Sequence, residues 1–263
     1  MNILEAIILG LVQGLTEFIP VSSSGHLVLL HRLLDTHSGL AFDVALHIGT
    51  FLALVSIFWR DILSLARSIF IKSPQTRLAW LLALATIPAV ISGMLLESRA
   101  ESSFRSPLLV GVNLILVALL MLAAERYALK RQQSKLERLK PLQAIFIGLA
   151  QAVAVIPGIS RSGSTITAGI FTGLDRVAAT RFSFLLAMPI TFGAILKVLS
   201  DGDTLNQVGQ EASLFAVGII TAFLSGIFAI KFLLKYLSKH SLSVFAYYRI
   251  ALGIAVIVLL VVF

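Results

Sequence analysis

Six stretches of almost unbroken apolar sequence, near residues 42 to 59, 78 to 96, 107 to 125, 182 to 199, 214 to 233 and 245 to 263, constrain this chain more than any other feature. Each approaches the ~20 residues that an α-helix needs to cross about 30 Å of hydrocarbon. Only 13% of the 263 residues are charged and 58% are hydrophobic, against roughly 25% charged in an average soluble domain. The chain is therefore expected to be an all-α polytopic integral membrane protein. Cysteine is absent, which excludes disulfides and thiolate metal sites and leaves helix packing to hold the fold. The opening "MNILEAIILGLVQG" has an acid where a secretory signal carries base, and it lacks a small-residue cleavage site, so it reads as a retained segment.

Two further apolar regions, 1–30 and 141–173, are broken near their centres by Pro, Gly and Ser and make poor simple crossings. Loop charges test the count, because cytoplasmic loops are enriched in Lys and Arg. The segment 60–77 carries Arg60, Arg67, Lys72 and Arg77; 126–141 carries Arg126, Lys130, Arg131, Lys135, Arg138 and Lys140; 231–239 carries Lys231, Lys235 and Lys239. The alternate loops are poor in base: 97–106 balances Arg99 and Arg105 with Glu97 and Glu101, and 200–213 has Asp201, Asp203 and Glu211 alone. This alternation is consistent only if both broken regions return to the side they entered. The expected topology is six spans plus two re-entrant hairpins, with the basic side cytoplasmic and both termini outside. The net charge of +8 then reflects topology and contact with anionic lipid, and nucleic acid is not an expected partner.

The broken regions repeat. "GLVQGLTEFIPVSSSG" at 10–25 aligns with "GLAQAVAVIPGISRSG" at 148–163, sharing G-L-x-Q, Ile-Pro and Ser-x-Ser-Gly. A weaker echo links "FDVALHIGTFLA" at 42 to "FSFLLAMPITFGA" at 182. A single membrane domain is predicted, with a first repeat over 1–125 (re-entrant 1–30), a basic connector at 126–140 and a second repeat over 141–263 (re-entrant 141–173). Three crossings per half invert the second half relative to the first. Inverted repeats with broken helices place their binding site near the bilayer midplane.

Broken backbone at membrane depth must be buried in protein or line a polar cavity, because lipid cannot satisfy its N–H and C=O groups. In "PGISRSGSTIT", Gly158 and Gly163 permit unusual backbone angles, and Ser160, Ser162, Ser164 and Thr165 surround the start of a new helix, where free amides favour an anion. Arg161 selects phosphate, since its planar fork suits bidentate contact and an intramembrane arginine is costly enough to need a purpose. In the first loop, Gln13 and Glu17 are four apart and share a helical face. Glu17 can pair with Arg161, activate a hydroxyl or hold a divalent cation that bridges phosphate oxygens. His26 follows Ser23 by three residues, so the two share a face if a helix restarts after Pro20. Ser23, or its neighbours Ser22 and Ser24, can serve as nucleophile with His26 as base; attack by His26 itself or by water fits equally well. His31 and His47 are expected to be structural, as are Asp175 (an N-cap), Glu125 (at a span end), and Pro88 and Pro189 (kinks). The Ser/Thr set can also serve helix–helix hydrogen bonding. Phosphoryl transfer on a lipid-anchored substrate fits these groups, and a transporter or flippase for a phosphate-bearing lipid or anion is the alternative.

"QGLTE", "PVSSSGH" and "PGISRSGST" together resemble the signature regions of the bacterial undecaprenyl-pyrophosphate phosphatase family associated with bacitracin resistance. The resemblance runs along the whole chain in length, spacing and hydropathy. It implies hydrolysis of undecaprenyl diphosphate to the monophosphate carrier used for peptidoglycan, in the bacterial plasma membrane. It implicates Glu17, Ser23, His26, Ser160, Arg161, Ser162 and Thr165, of which Glu17, Ser23, His26 and Arg161 are expected to be catalytic; from their places in the two loops, Ser22, Ser24 and Gly163 are expected with Ser160, Arg161, Ser162 and Thr165 around the phosphates. It further implies Mg²⁺ or Ca²⁺ at Glu17 with Gln13, although an uncharged Gln13 leaves Glu17 to carry the charge. An active site toward the outer leaflet and a polyprenyl diphosphate partner follow from the same likeness, with a homodimer allowed.

Overall fold

The computed structural model describes residues 1–34, 40–101, 106–200, 202 and 208–262. Their principal elements are ten α-helices: α1 (Ile3–Phe18), α2 (Ser23–Leu34), α3 (Leu40–Phe70), α4 (Thr76–Glu101), α5 (Pro107–Ala128), α6 (Pro141–Val153), α7 (Arg161–Phe171), α8 (Arg176–Leu199), α9 (Ala212–Leu237) and α10 (Ser243–Val262). No β-strand forms among the described residues, and a 3₁₀ turn at Leu136–Arg138 punctuates the basic connector. Six of the helices are long and apolar enough to cross a membrane, over Ala41–Phe70, Thr76–Leu96, Pro107–Ala128, Arg176–Leu199, Ala212–Leu237 and Ser243–Leu260. The four helices of the broken regions are only 16, 12, 13 and 11 residues long, too short to cross singly.

Local chemistry sets the boundaries. Asn2 and Glu5 close a capping box on α1. Pro107 and Pro141 open α5 and α6 at the position that lacks a hydrogen bond in any case. The Asp175 carboxylate accepts from the Ala178 amide at 2.7 Å, the expected cap, which starts α8 six residues before the apolar run at 182. Glu125 closes the basic end of α5: it pairs with Arg176 and accepts from the Leu242 amide at 2.8 Å.

One expectation is corrected. The basic segment 60–77 is mostly helix, since α3 runs on to Phe70; "RDILSLARSIF" contains no breaker, so Arg60 and Arg67 lie on a helix and only 71–75 remain as a turn. Pro88 and Pro189 sit within α4 and α8, and non-helical backbone is found inside α3 at Phe58 (φ −102°, ψ 16°). Residues 102–105, 201 and 203–207 of the two base-poor loops lie outside the described residues.

Each broken pair packs on a span from the other half of the chain: α1 lies along α9 and α6 along α4. The aligned glycines make both approaches possible. A Cβ at Gly10 would fall 2.6 Å from the Gly218 carbonyl oxygen, and one at Gly148 would fall 2.3 Å from the Ala85 carbonyl oxygen. Small residues at such crossings let backbones meet closely, which is how membrane helices gain dispersion energy when lipid supplies no hydrophobic drive. Below the first break, Phe18, Phe58 and Phe184 form edge-on contacts at 5.5 and 6.1 Å between ring centres, sealing one side of the polar centre with apolar surface.

Candidate active site

The two breaks adopt one geometry. Ser22 and Ser160, at matching positions, have φ of 76° and 74°, a left-handed conformation that is uncommon outside glycine. The Ser22 hydroxyl accepts from the Gly25 amide at 3.3 Å and lies 3.4 Å from the Ser24 hydroxyl. Ser160 accepts from the Gly163 amide at 3.0 Å and lies 3.3 Å from the Ser162 hydroxyl. Each strained serine therefore caps the helix that follows it, and the next residues, Ser23 and Arg161, become the first residues of α2 and α7.

Those two residues converge on one carboxylate. The Ser23 hydroxyl donates to Glu17 Oε2 at 2.6 Å, and Arg161 Nη2 donates to Glu17 Oε1 at 2.8 Å. Gln13 Nε2 adds a third donor to Oε2 at 3.2 Å. The Glu17 side chain is only 10% exposed, so its charge depends on these partners. Because the first amides of a helix have no partner within it, the starts of α2 and α7 direct two positive dipole ends toward this carboxylate, an arrangement that favours anions. Arg161 also reaches the Ser183 carbonyl at 3.4 Å, while Thr165 ties α7 to α8 through the Ser183 hydroxyl at 2.6 Å. Ser162 joins the two breaks by donating to the Ile19 carbonyl at 3.4 Å.

Of the residues singled out by sequence, Glu17, Gln13, Ser23, Arg161, Ser162 and Thr165 thus gather at one place. Ser22 and Ser160 are buried in their caps, Gly163 is buried beside Ser160, and Ser24 lies at the exposed edge. His26 is turned away from Ser23, and no hydrogen bond joins them. Its Nδ1 lies 2.7 Å from the Ser22 carbonyl oxygen, and its Nε2 lies 2.7 Å from the Tyr248 hydroxyl. A carbonyl only accepts, so Nδ1 carries the proton and the neutral ring's Nε2 accepts from the phenol.

Three residues escaped the sequence reading. His47, expected to be structural, places Nε2 3.7 Å from Glu17 Oε2 while Nδ1 donates to the Asp43 carbonyl at 2.9 Å. His31 meets its expected structural role in a pair with Asp43 at 2.7 Å. Tyr248 completes the surroundings of His26, and its neighbour Arg249 is fully buried, donating to main-chain carbonyls of both breaks. Only the helical offset of His47 in "FDVALHIG" and the adjacency of Tyr248 and Arg249 hinted at these roles. Thr167, on α7, has a buried hydroxyl without a partner among the described residues.

Among the described residues no cluster of three or more His, Asp or Glu forms a metal site. Gln13, whose Nε2 faces Glu17, keeps its Oε1 buried without a partner, an acceptor with capacity for a ligand. A separate cavity of about 800 Å³ lies at the basic ends of the helices among Asp61, Arg77, Lys135, Arg176 and Arg181, apart from this cluster.

Fold and site together define a class: an all-helical, multi-pass membrane protein that gathers a carboxylate, a guanidinium and hydroxyls where two broken helices restart. A family model described as bacitracin resistance protein BacA matches residues 6–255. The chain is 46% identical to an undecaprenyl-diphosphatase of Moorella thermoacetica over 98% of its own length and 97% of that protein's. It is 45% identical to one of Rubrobacter xylanophilus over 99% of each chain, and 42% identical to one of Methanosphaera stadtmanae over 100% of this chain and 99% of the other. The chain belongs to the bacitracin resistance protein BacA family.

Proposed function

We propose that this chain hydrolyses undecaprenyl diphosphate to undecaprenyl phosphate and inorganic phosphate, recycling the lipid carrier of cell-wall synthesis and conferring bacitracin resistance. The observation that carries the reading is the single carboxylate, Glu17, bonded at once to Ser23 and Arg161 at the starts of α2 and α7. The full-length relatives named for this activity support it. In the same reading α1–α2 and α6–α7 are re-entrant hairpins of an inverted repeat, 1–125 and 141–263. Their matched breaks and reciprocal packing on α9 and α4 support this arrangement. The plasma membrane is the location, both termini lie outside, and the site opens to the outer leaflet, in keeping with the basic 126–140 connector facing the cytoplasm.

In the mechanism, the prenyl tail stays among the helices while Arg161 and the first amides of α2 and α7 draw the terminal phosphate to Ser23. The Ser23 oxygen attacks the terminal phosphorus, its proton passes to Glu17, and the bond to the bridging oxygen breaks, releasing undecaprenyl phosphate. Water then attacks the phosphoserine and gives a proton to His26 Nε2. The Ser23–phosphorus bond breaks as the serine oxygen recovers its proton from Glu17, and His26 passes its proton to the departing phosphate or to solvent. Glu17 and Gln13 Oε1 would hold a Mg²⁺ or Ca²⁺ ion. Such an ion, when bound, neutralises phosphate oxygens, taking one or two carboxylates and leaving other positions to substrate and water.

Purified protein in detergent has no compartments, so release of phosphate there separates a phosphatase from a transporter. Native protein is expected to release phosphate, and protein that merely binds the lipid diphosphate would contradict the reading. Ser23→Ala is expected to lower release by at least ~10³-fold and to abolish phosphoprotein labelling by substrate carrying a labelled terminal phosphate. Unchanged turnover in that variant would remove Ser23 as nucleophile. A chelator is expected to suppress release and added Mg²⁺ or Ca²⁺ to restore it, with full activity in chelator arguing against the cation.

A further inference from the structure

The histidine of the first break owes its posture to a residue 222 positions away in sequence. The His26 and Tyr248 rings lie only 5° from parallel with centres 5.7 Å apart, and the phenol oxygen is 2.7 Å from Nε2. On the other edge of the ring, Nδ1 is fixed by the carbonyl of strained Ser22. Tyr248 is itself located by Arg249, whose guanidinium donates to Pro20 in the first break at 3.4 Å and to Gly158 and Ile159 in the second at 2.8 and 3.1 Å. The phenol is thus placed against the first loop by its neighbour and remains 47% exposed on its open side.

We infer that Tyr248 is the positioning residue for His26: its hydroxyl aims the Nε2 lone pair and yields it to water once substrate fills the site. The inference rests on the reading of His26 as the base of the second step. The ring needs both nitrogens specified to act in that role, the proton held on Nδ1 and the lone pair presented at Nε2. Ser22 accounts for the first and Tyr248 for the second. Exchanging the phenol for water replaces one hydroxyl donor with another, so the exchange costs little, while an unanchored imidazole would sample rotamers that point away from the phosphoserine.

Tyr248→Phe keeps the ring and removes only the donor. In detergent with undecaprenyl diphosphate, kcat is expected to fall by at least about tenfold while KM stays within about twofold, because general-base assistance of the kind being misaligned contributes ~10²–10⁴. The ¹⁵N resonance of His26 Nε2 should move as its hydrogen bond is lost. In a His26→Gln background, which itself should be slow, adding Tyr248→Phe should produce no further loss, since the two act as a unit. Unchanged kcat in Tyr248→Phe, or an equal further loss in the His26→Gln background, overturns the positioning role while leaving the phosphatase reading intact. Full activity in His26→Gln alone overturns the role of His26, and the inference with it.

Discussion

Arg161→Ala is expected to lower phosphate release by roughly 10²–10³-fold, the cost of removing one preorganised charge aimed at developing negative charge, while the helices stay folded. Two links support this magnitude. Arg161 is the first residue of α7, where the helix dipole and free amides already favour an anion, and its fork suits a phosphate. It also partners Glu17, so its loss leaves a 10%-exposed carboxylate without its guanidinium and disturbs Ser23 as well. Arg161→Lys keeps the charge but loses the fork, and is expected to recover part of the rate. Circular dichroism and thermal unfolding of each variant separate lost chemistry from lost fold. An Arg161→Ala protein that keeps most of its activity would remove this residue from the phosphate site.

The membrane architecture was legible because apolar length is a local property that lipid rewards wherever it occurs, so six spans could be counted directly. The limits of α3 and α8 were less legible: charged residues such as Arg60, Arg67 and Arg176 lie on helices that run past the apolar run, where a side chain can reach water or a partner such as Glu125. The Glu17–Arg161 pair was foreseeable from chemistry alone, since two intramembrane charges at aligned breaks have few other ways to be satisfied. Two other contacts were not foreseeable. Ser23 and His26 share a helical face by spacing, yet the left-handed Ser22 turns its carbonyl to His26 and leaves Ser23 to Glu17. The approach of His47 to Glu17 is hidden because nothing in "ALHIG" reveals that α3 passes beside α1, a fact that belongs to tertiary packing.

Arg249→Met is expected to destabilise the protein by about 3 kcal/mol or more, with activity falling in parallel, because several buried carbonyls would lose a donor at once and each orphaned acceptor costs ~1–3 kcal/mol. The side chain is fully buried and has no carboxylate partner among the described residues; Nε, Nη1 and Nη2 instead reach Leu114, Pro20, Asn113, Gly158 and Ile159 carbonyls at 2.8 to 3.4 Å. The Pro20, Gly158 and Ile159 acceptors belong to the two breaks, where helix termination leaves carbonyls that lipid cannot satisfy, whereas Asn113 and Leu114 lie inside α5 and tie it to them. Asn113 reinforces the arrangement by donating to the Pro157 carbonyl at 2.9 Å. A methionine of similar volume avoids the desolvation of a buried charge, so the measured loss is a lower bound on the value of the fork. Lysine, with three donors on one nitrogen, cannot span carbonyls from three segments and is expected to fall between the two. Thermal unfolding in detergent decides the matter. If Arg249→Met unfolds with the native midpoint, the two loops hold their shape without it. If the midpoint drops while Arg161→Ala leaves it unmoved, the two buried arginines divide their work: one holds the breaks together and the other holds the phosphate between them.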